Sequence, residues 1–106
     1  MNDSPATTPG SERPPVVLSD RTVTEVGRIM SAKQVPAGYG LRAGIRGGGC
    51  GATLILGFDK PRDQDRVYEQ DGITLIIDRA HLLYVFGKTI DFVDGEEGRG
   101  FVFVDR

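Results

Sequence analysis

The chain has 106 residues, 39% hydrophobic and 26% charged, which is the balance of one soluble globular domain able to bury a single core. Thirteen basic against fifteen acidic residues give a net charge of −2, a poor footing for nucleic-acid binding, which rests on phosphate neutralisation. One cysteine excludes an intrachain disulfide and fits a reducing cytoplasm. No stretch reads as a membrane span or a secretory leader.

Residues 1–15 are Ser, Thr, Pro, Gly and charge, and read as a disordered tail before a domain at 16–106. Val16-Val17-Leu18 opens the ordered part as a short strand. Ser19 is placed to cap a helix, with Leu18 and Val23 as a hydrophobic staple. Val23, Val26, Ile29 and Met30 recur at helical spacing. The helix is expected to fade by Gln34, because Val35 precedes Pro36 and residues before proline avoid the α region.

Beyond Pro36-Ala37-Gly38 the period changes to two. Leu41, Ala43 and Ile45 alternate with Arg42, Gly44 and Arg46, and Ala52, Leu54, Leu56 and Phe58 alternate in the next strand. Between these strands runs Gly47-Gly48-Gly49-Cys50-Gly51. Glycine admits positive φ and close approach, so this connection presents the only cysteine on a backbone-rich turn. Gly48 and Gly49 are candidate cofactor-binding positions and Cys50 is the candidate metal ligand. The run lacks a following Gly-Lys-Ser/Thr, so it does not read as a phosphate-binding P-loop.

Val67 to Gln70 and Ile73 to Ile77 flank Asp71-Gly72, a strong hairpin signal. Asp78 can cap a short helix through Ala80, Leu82, Leu83 and Tyr84 that ends at Gly87. Lys88 to Val93 reads as a strand, residues 94–100 as a flexible loop with Glu96 and Glu97, and Phe101 to Val104 as a last strand. About seven short strands and two short helices predict a β-rich α+β domain in two packed layers.

Among the remaining polar groups, His81 is the single histidine, expected on the surface of the short helix. A nucleophilic role for Cys50 would need a base, and His81 is the one imidazole available. Asp91, alternating with Ile90 and Phe92, reads as outward and structural. Tyr39, Tyr84 and Phe86 are candidates for a protein-contact surface.

Taken in order, these blocks resemble the A-type iron–sulfur cluster carriers, or HesB-like domain. They are Leu41-Arg42 with Gly47-Gly48-Gly49-Cys50; Tyr68-Glu69-Gln70-Asp71-Gly72-Ile73; Asp78 with Leu82-Leu83-Tyr84; Gly87 with Thr89-Ile90-Asp91-Phe92-Val93; and Gly98-Arg99-Gly100-Phe101-Val102-Phe103. The resemblance implies a fold of two packed mixed sheets and a homodimer or higher assembly. It also implies a carrier without turnover chemistry. The cargo would be a [2Fe-2S] or [4Fe-4S] cluster, or iron, taken from the assembly machinery and passed to apo-acceptor proteins. Cys50 corresponds to the first of three family cysteines. The sequence departs from the pattern in reading Cys50-Gly51-Ala52 for the usual Cys-Ser-Gly, and in running only to Val104-Asp105-Arg106, without the Cys-x-Cys tail that the family carries after its last strand. The alternative expectation is a metal-free member of the fold acting as a protein-interaction module.

Overall fold

The computed structural model describes residues 14–47, 53–96 and 98–105. Of the expected disordered tail, residues 1–13 lie outside the described residues. The elements in order are β1 (Val16–Leu18), α1 (Asp20–Ala32), β2 (Gly40–Arg46), β3 (Thr53–Asp59), β4 (Asp65–Gln70) and β5 (Ile73–Asp78). A single 3-10 turn (Arg79–His81) then runs into α2 (Leu82–Val85), followed by β6 (Lys88–Gly95) and β7 (Gly98–Asp105). The strands form a three-stranded sheet ordered β1-β6-β7 and a four-stranded sheet ordered β3-β2-β5-β4. Each is mixed, through the parallel pairs β1–β6 and β2–β5. The expected β-rich α+β architecture of two mixed sheets is therefore present.

Period-two alternation decides which face of each sheet is dry. Leu41 and Ala43 of β2 and Ile73, Leu75 and Ile77 of β5 are buried on one face of the four-stranded sheet. Tyr68 of β4 joins them, and Leu54, Leu56 and Phe58 of β3 pack at the margin. From the other sheet come Val16, Leu18 and Ile90, flanked by Phe101 and Phe103, while Val23, Val26 and Met30 of α1 add the helical stripe. Burying an aliphatic side chain of this kind stabilises by about 1.5–3 kcal/mol, so this one cluster is the principal source of stability.

The ends of α1 are specified chemically. Ser19 Oγ accepts from the Thr22 N–H at 3.2 Å and donates to Asp91 Oδ1 at 2.7 Å, tying the helix start to β6. Thr22, fully buried, donates its hydroxyl to the Ile90 carbonyl at 2.8 Å. At the other end Gln34 takes φ 52°, and the Gln34 and Val35 N–H groups return to Ser31 and Met30 carbonyls at 3.2 and 3.1 Å. That is a Schellman ending with glutamine in the left-handed position, so the helix stops by capping before the Val35-Pro36 restriction acts.

A side-chain amide ties the two sheets together. Gln70 Oε1 accepts from the Leu18 N–H at 3.0 Å and its Nε2 donates to the Leu18 carbonyl at 2.9 Å. The amide thus acts as one residue of a neighbouring strand on the open edge of β1, where unpaired backbone groups would otherwise remain.

Asp71 and Gly72 both have positive φ, 51° and 85°, the geometry of a two-residue hairpin turn whose twist matches the strands. The expected loop at residues 94–100 is instead part of a hairpin. β6 and β7 pair in unbroken register through Asp94↔Arg99 and Gly95↔Gly98, leaving two positions between the paired glycines. Glycine-rich, charged composition reads as a loop, but cross-strand pairing continues through these positions, and Gly98 supplies φ 130°.

Candidate functional site

The β2–β3 hairpin carries the cysteine-bearing connection. Its arms pair antiparallel over seven residues, from Gly40↔Asp59 to Arg46↔Thr53, so the last pair frames residues 47–52. Gly47 begins the connection at φ 81°, a conformation that glycine adopts without strain. Cys50, Gly48 and Gly49 lie outside the described residues. Glu97 does as well, and Glu96 is exposed at the β6–β7 turn. Among the described residues no three His, Cys, Asp or Glu side chains are grouped to hold a metal ion.

At the base of the hairpin Arg42 organises a charge network. Its Nη1 and Nη2 donate to the two carboxylate oxygens of Asp65, each at 2.7 Å, while Nε donates to Asp59 Oδ2 at 2.9 Å. Nη2 also reaches the Lys60 carbonyl at 3.0 Å. Asp65 has no exposed side-chain surface and Arg42 keeps 22%. The guanidinium hydrogen bonds hold the Asp65 carboxyl below the ordinary carboxylate range, against the opposing effect of burial, and the Arg62 N–H lowers it further. For Asp59 the first cause is the Lys60 N–H and the second is Arg42, both lowering. Arg42 is pushed upward in turn, chiefly by Asp65. This network clamps the 59–65 turn to β2; sequence alternation marked Arg42 as outward and gave no sign of its partners.

Beyond Arg42 the strands β2 and β5 part, their parallel pairing spanning Leu41↔Leu75 and Arg42↔Ile76. His81, expected on the surface, takes the place of the missing neighbour. It is half-buried, and its Nδ1 accepts from the Ile45 N–H at 3.4 Å. The ring lies directly on Gly44: a Cβ at that position would stand 2.6 Å from Nδ1 and 3.1 Å from Cε1. Gly44 is therefore a close-approach glycine. Because the Nδ1 lone pair is already engaged, the neutral ring carries its proton on Nε2.

Along the same outward face runs a groove of about 310 Å³, with Gly44, His81 and Asp78 at one end and Arg62 and Asp59 at the other. Ile55, Gly57 and Phe58 line its length. Asp91 is half-buried and accepts from Ser19 Oγ and from the Phe92 N–H at 2.9 Å, with the serine hydroxyl the main cause of its lowered pKa. Of the contact candidates, Tyr84 is 56% and Phe86 71% exposed beside Leu83 at 90%, whereas Tyr39 is half-buried with Lys60 Nζ 5.7 Å from its ring centroid.

The chain is 35% identical over 92 residues to the iron-binding protein IscA of Enterobacter sp., covering 85% of this chain and 84% of that protein. It belongs to the A-type iron–sulfur cluster carrier family. No family-wide sequence profile matches it. Among solved structures, Escherichia coli SufA, described as involved in biosynthesis of iron–sulfur clusters, superposes with a TM-score of 0.70 at 20% identity, covering 96% of this chain and 97% of SufA. An IscA solved with a [2Fe-2S] cluster gives 0.67 at 21% identity, covering 85% of this chain and 81% of that one. At those identities the likeness establishes the fold, and the family membership rests on the sequence relative.

Proposed function

We propose that this chain is an iron–sulfur cluster carrier that takes iron or a cluster as cargo through Cys50 and gives it up to apo-proteins by ligand exchange. The observation that supports it is the 35% identity to an iron-binding protein over 85% of the chain, combined with the single cysteine of the sequence in the glycine-rich connection of β2 and β3. The framing pair Arg46↔Thr53 anchors both ends of that connection on a paired hairpin. Gly48 and Gly49 would let the backbone approach the cargo closely. A thiolate is the donor that iron–sulfur clusters ordinarily take, with four protein ligands in all. Cys50 of two paired copies would contribute two, and the exchangeable remainder favours transfer over storage. The sources and recipients would be the assembly machinery and apo-acceptor proteins.

Anaerobic loading with iron and sulfide, read by visible absorption and by iron and sulfide stoichiometry, tests the proposal. Bound iron with a charge-transfer spectrum in the parent protein and its loss in Cys50→Ala is the expected outcome. Equal, negligible iron in both overturns it.

A second reading has one observation in its favour: Leu83, Tyr84 and Phe86 stand exposed together on one turn beside the buried Val85. Exposed apolar groups of this size mark protein-contact surfaces. A partner complex retained by Cys50→Ala and lost in Phe86→Ser supports an interaction module independent of cargo.

A further inference from the structure

The groove on the outward face of β2 and β3 has the form of a ligand site. It exists because two outward positions carry no side chain. Gly44 is covered by the His81 ring, and a Cβ at Gly57 would have nothing within 4 Å, so that position is open floor. Gly44↔Ile55 and Gly40↔Asp59 are four register steps apart. At about 3.3 Å per residue this spans roughly 13 Å, a little beyond the ~10–11 Å of three residues in ordinary α-linkage and suited to a tripeptide lengthened by a side-chain peptide link.

The polar groups stand at the two ends. Gly44 and Asp78 each lie two residues beyond the last β2–β5 pair, Arg42↔Ile76, where the strands part, and both line the groove with His81, so the Asp78 carboxylate and the His81 ring are assigned to that end. One Asp78 oxygen accepts from the Ala80 N–H at 2.9 Å, which leaves the other for a ligand cation. With Nδ1 on the Ile45 N–H, His81 offers an Nε2–H donor that has no protein acceptor among the described residues. A carboxylate beside an N–H donor is the complement of an amino-acid head group: the ammonium pairs with Asp78 and the carboxylate accepts from His81. At the far end Arg62 is 60% exposed and spends one Nη2 contact on Asp59, so it retains donors for a second carboxylate. Arg42 spends four of its five N–H donors on Asp59, Asp65 and Lys60, and its main part is to shape the floor.

We propose that this groove binds a small zwitterionic peptide thiol, with its amino-acid head group at Asp78 and His81 and its terminal carboxylate at Arg62. Gly57 leaves room for the middle of the ligand, and the groove lies on the two strands joined by the connection containing Cys50. The role of the bound thiol rests on the carrier reading: these 106 residues hold one cysteine, and a thiol lent from the groove, losing its proton to solvent on binding iron, adds a sulfur ligand. Ligand binding itself needs no cargo.

The test uses glutathione as probe on the metal-free full chain, by calorimetry and amide chemical-shift mapping. Saturable binding at millimolar concentration or below is expected, with shifts at Gly44, Ile55 and Gly57. S-methylglutathione, which keeps both ends and blocks the sulfur, should bind equally. Gly57→Val fills the floor with a residue suited to a strand, and Asp78→Asn keeps the helix cap while removing the charge; each should weaken binding roughly tenfold or more. No binding, or binding unchanged in both variants, overturns the groove. Binding that persists in Cys50→Ala while iron loading fails in the parent chain upholds the groove and overturns the carrier reading. Equal cluster yields with glutathione and S-methylglutathione overturn the sulfur-donor role.

Discussion

Replacing Asp65 by Asn removes the buried half of the Arg42 network with almost no change in shape. In the native protein Asp65 accepts two parallel guanidinium hydrogen bonds at 2.7 Å and a third from the Arg62 N–H at 2.7 Å, with its side chain fully covered. Asparagine keeps one oxygen and turns an NH2 toward a guanidinium donor. Breaking a buried pair from one side costs about 3–5 kcal/mol. Asp59 still bonds Arg42 Nε at 2.9 Å and Arg42 keeps 22% of its surface, so the cost falls somewhat below that range. The expected loss is about 2–3 kcal/mol at neutral pH. At roughly 4–8 °C per kcal/mol for a domain of this size, the melting temperature should fall by about 10–20 °C. The pH dependence follows from the lowered Asp65 pKa. A carboxyl whose folded pKa is depressed contributes stability that is fully present above its unfolded pKa of about 3.9 and is lost as pH falls through the folded value. Urea titrations of parent and Asp65→Asn should therefore show a constant gap from pH 7 to about 5 that closes below about 4. A gap under about 0.5 kcal/mol at pH 7, or one that stays constant down to pH 3, refutes the assignment of this pair as the clamp of the 59–65 turn.

Two further predictions concern close contacts. Gly44→Ala places a Cβ against the His81 ring and should cost about 1–3 kcal/mol in urea unfolding. Adding His81→Ala should recover most of that loss, whereas strictly additive losses would show that the ring does not sit on Gly44. Gln70→Leu strips both partners from the Leu18 backbone and should cost about 2–4 kcal/mol, with faster amide exchange at Leu18. Unchanged exchange at that amide would remove the amide bridge between the sheets.

Much of this protein was readable in one dimension because its determinants are local. The helical stripe Val23, Val26, Ile29, Met30, the Ser19 cap, the Asp71-Gly72 turn and the alternation of Leu41, Ala43 and Ile45 each need only neighbours within a few residues. They were sufficient to predict two layers, and the ordered series of blocks was sufficient to indicate the family. The hairpin at residues 94–100 escaped because loop-like composition was overridden by the pairing of β6 with β7, which no local propensity records. What tertiary structure alone decided lies in contacts between residues far apart in the chain. Arg42 meets Asp65 across 23 positions, Gln70 meets Leu18 across 52, and His81 reaches Ile45 across 36. A polar side chain announces its capacity to bond but not its partner, because the partner is set by which strands lie together. Short-range periodicity thus determined the elements and their inward faces, while strand order determined where the surplus polar groups meet. That meeting is why His81 rests on a glycine at the lining of a groove.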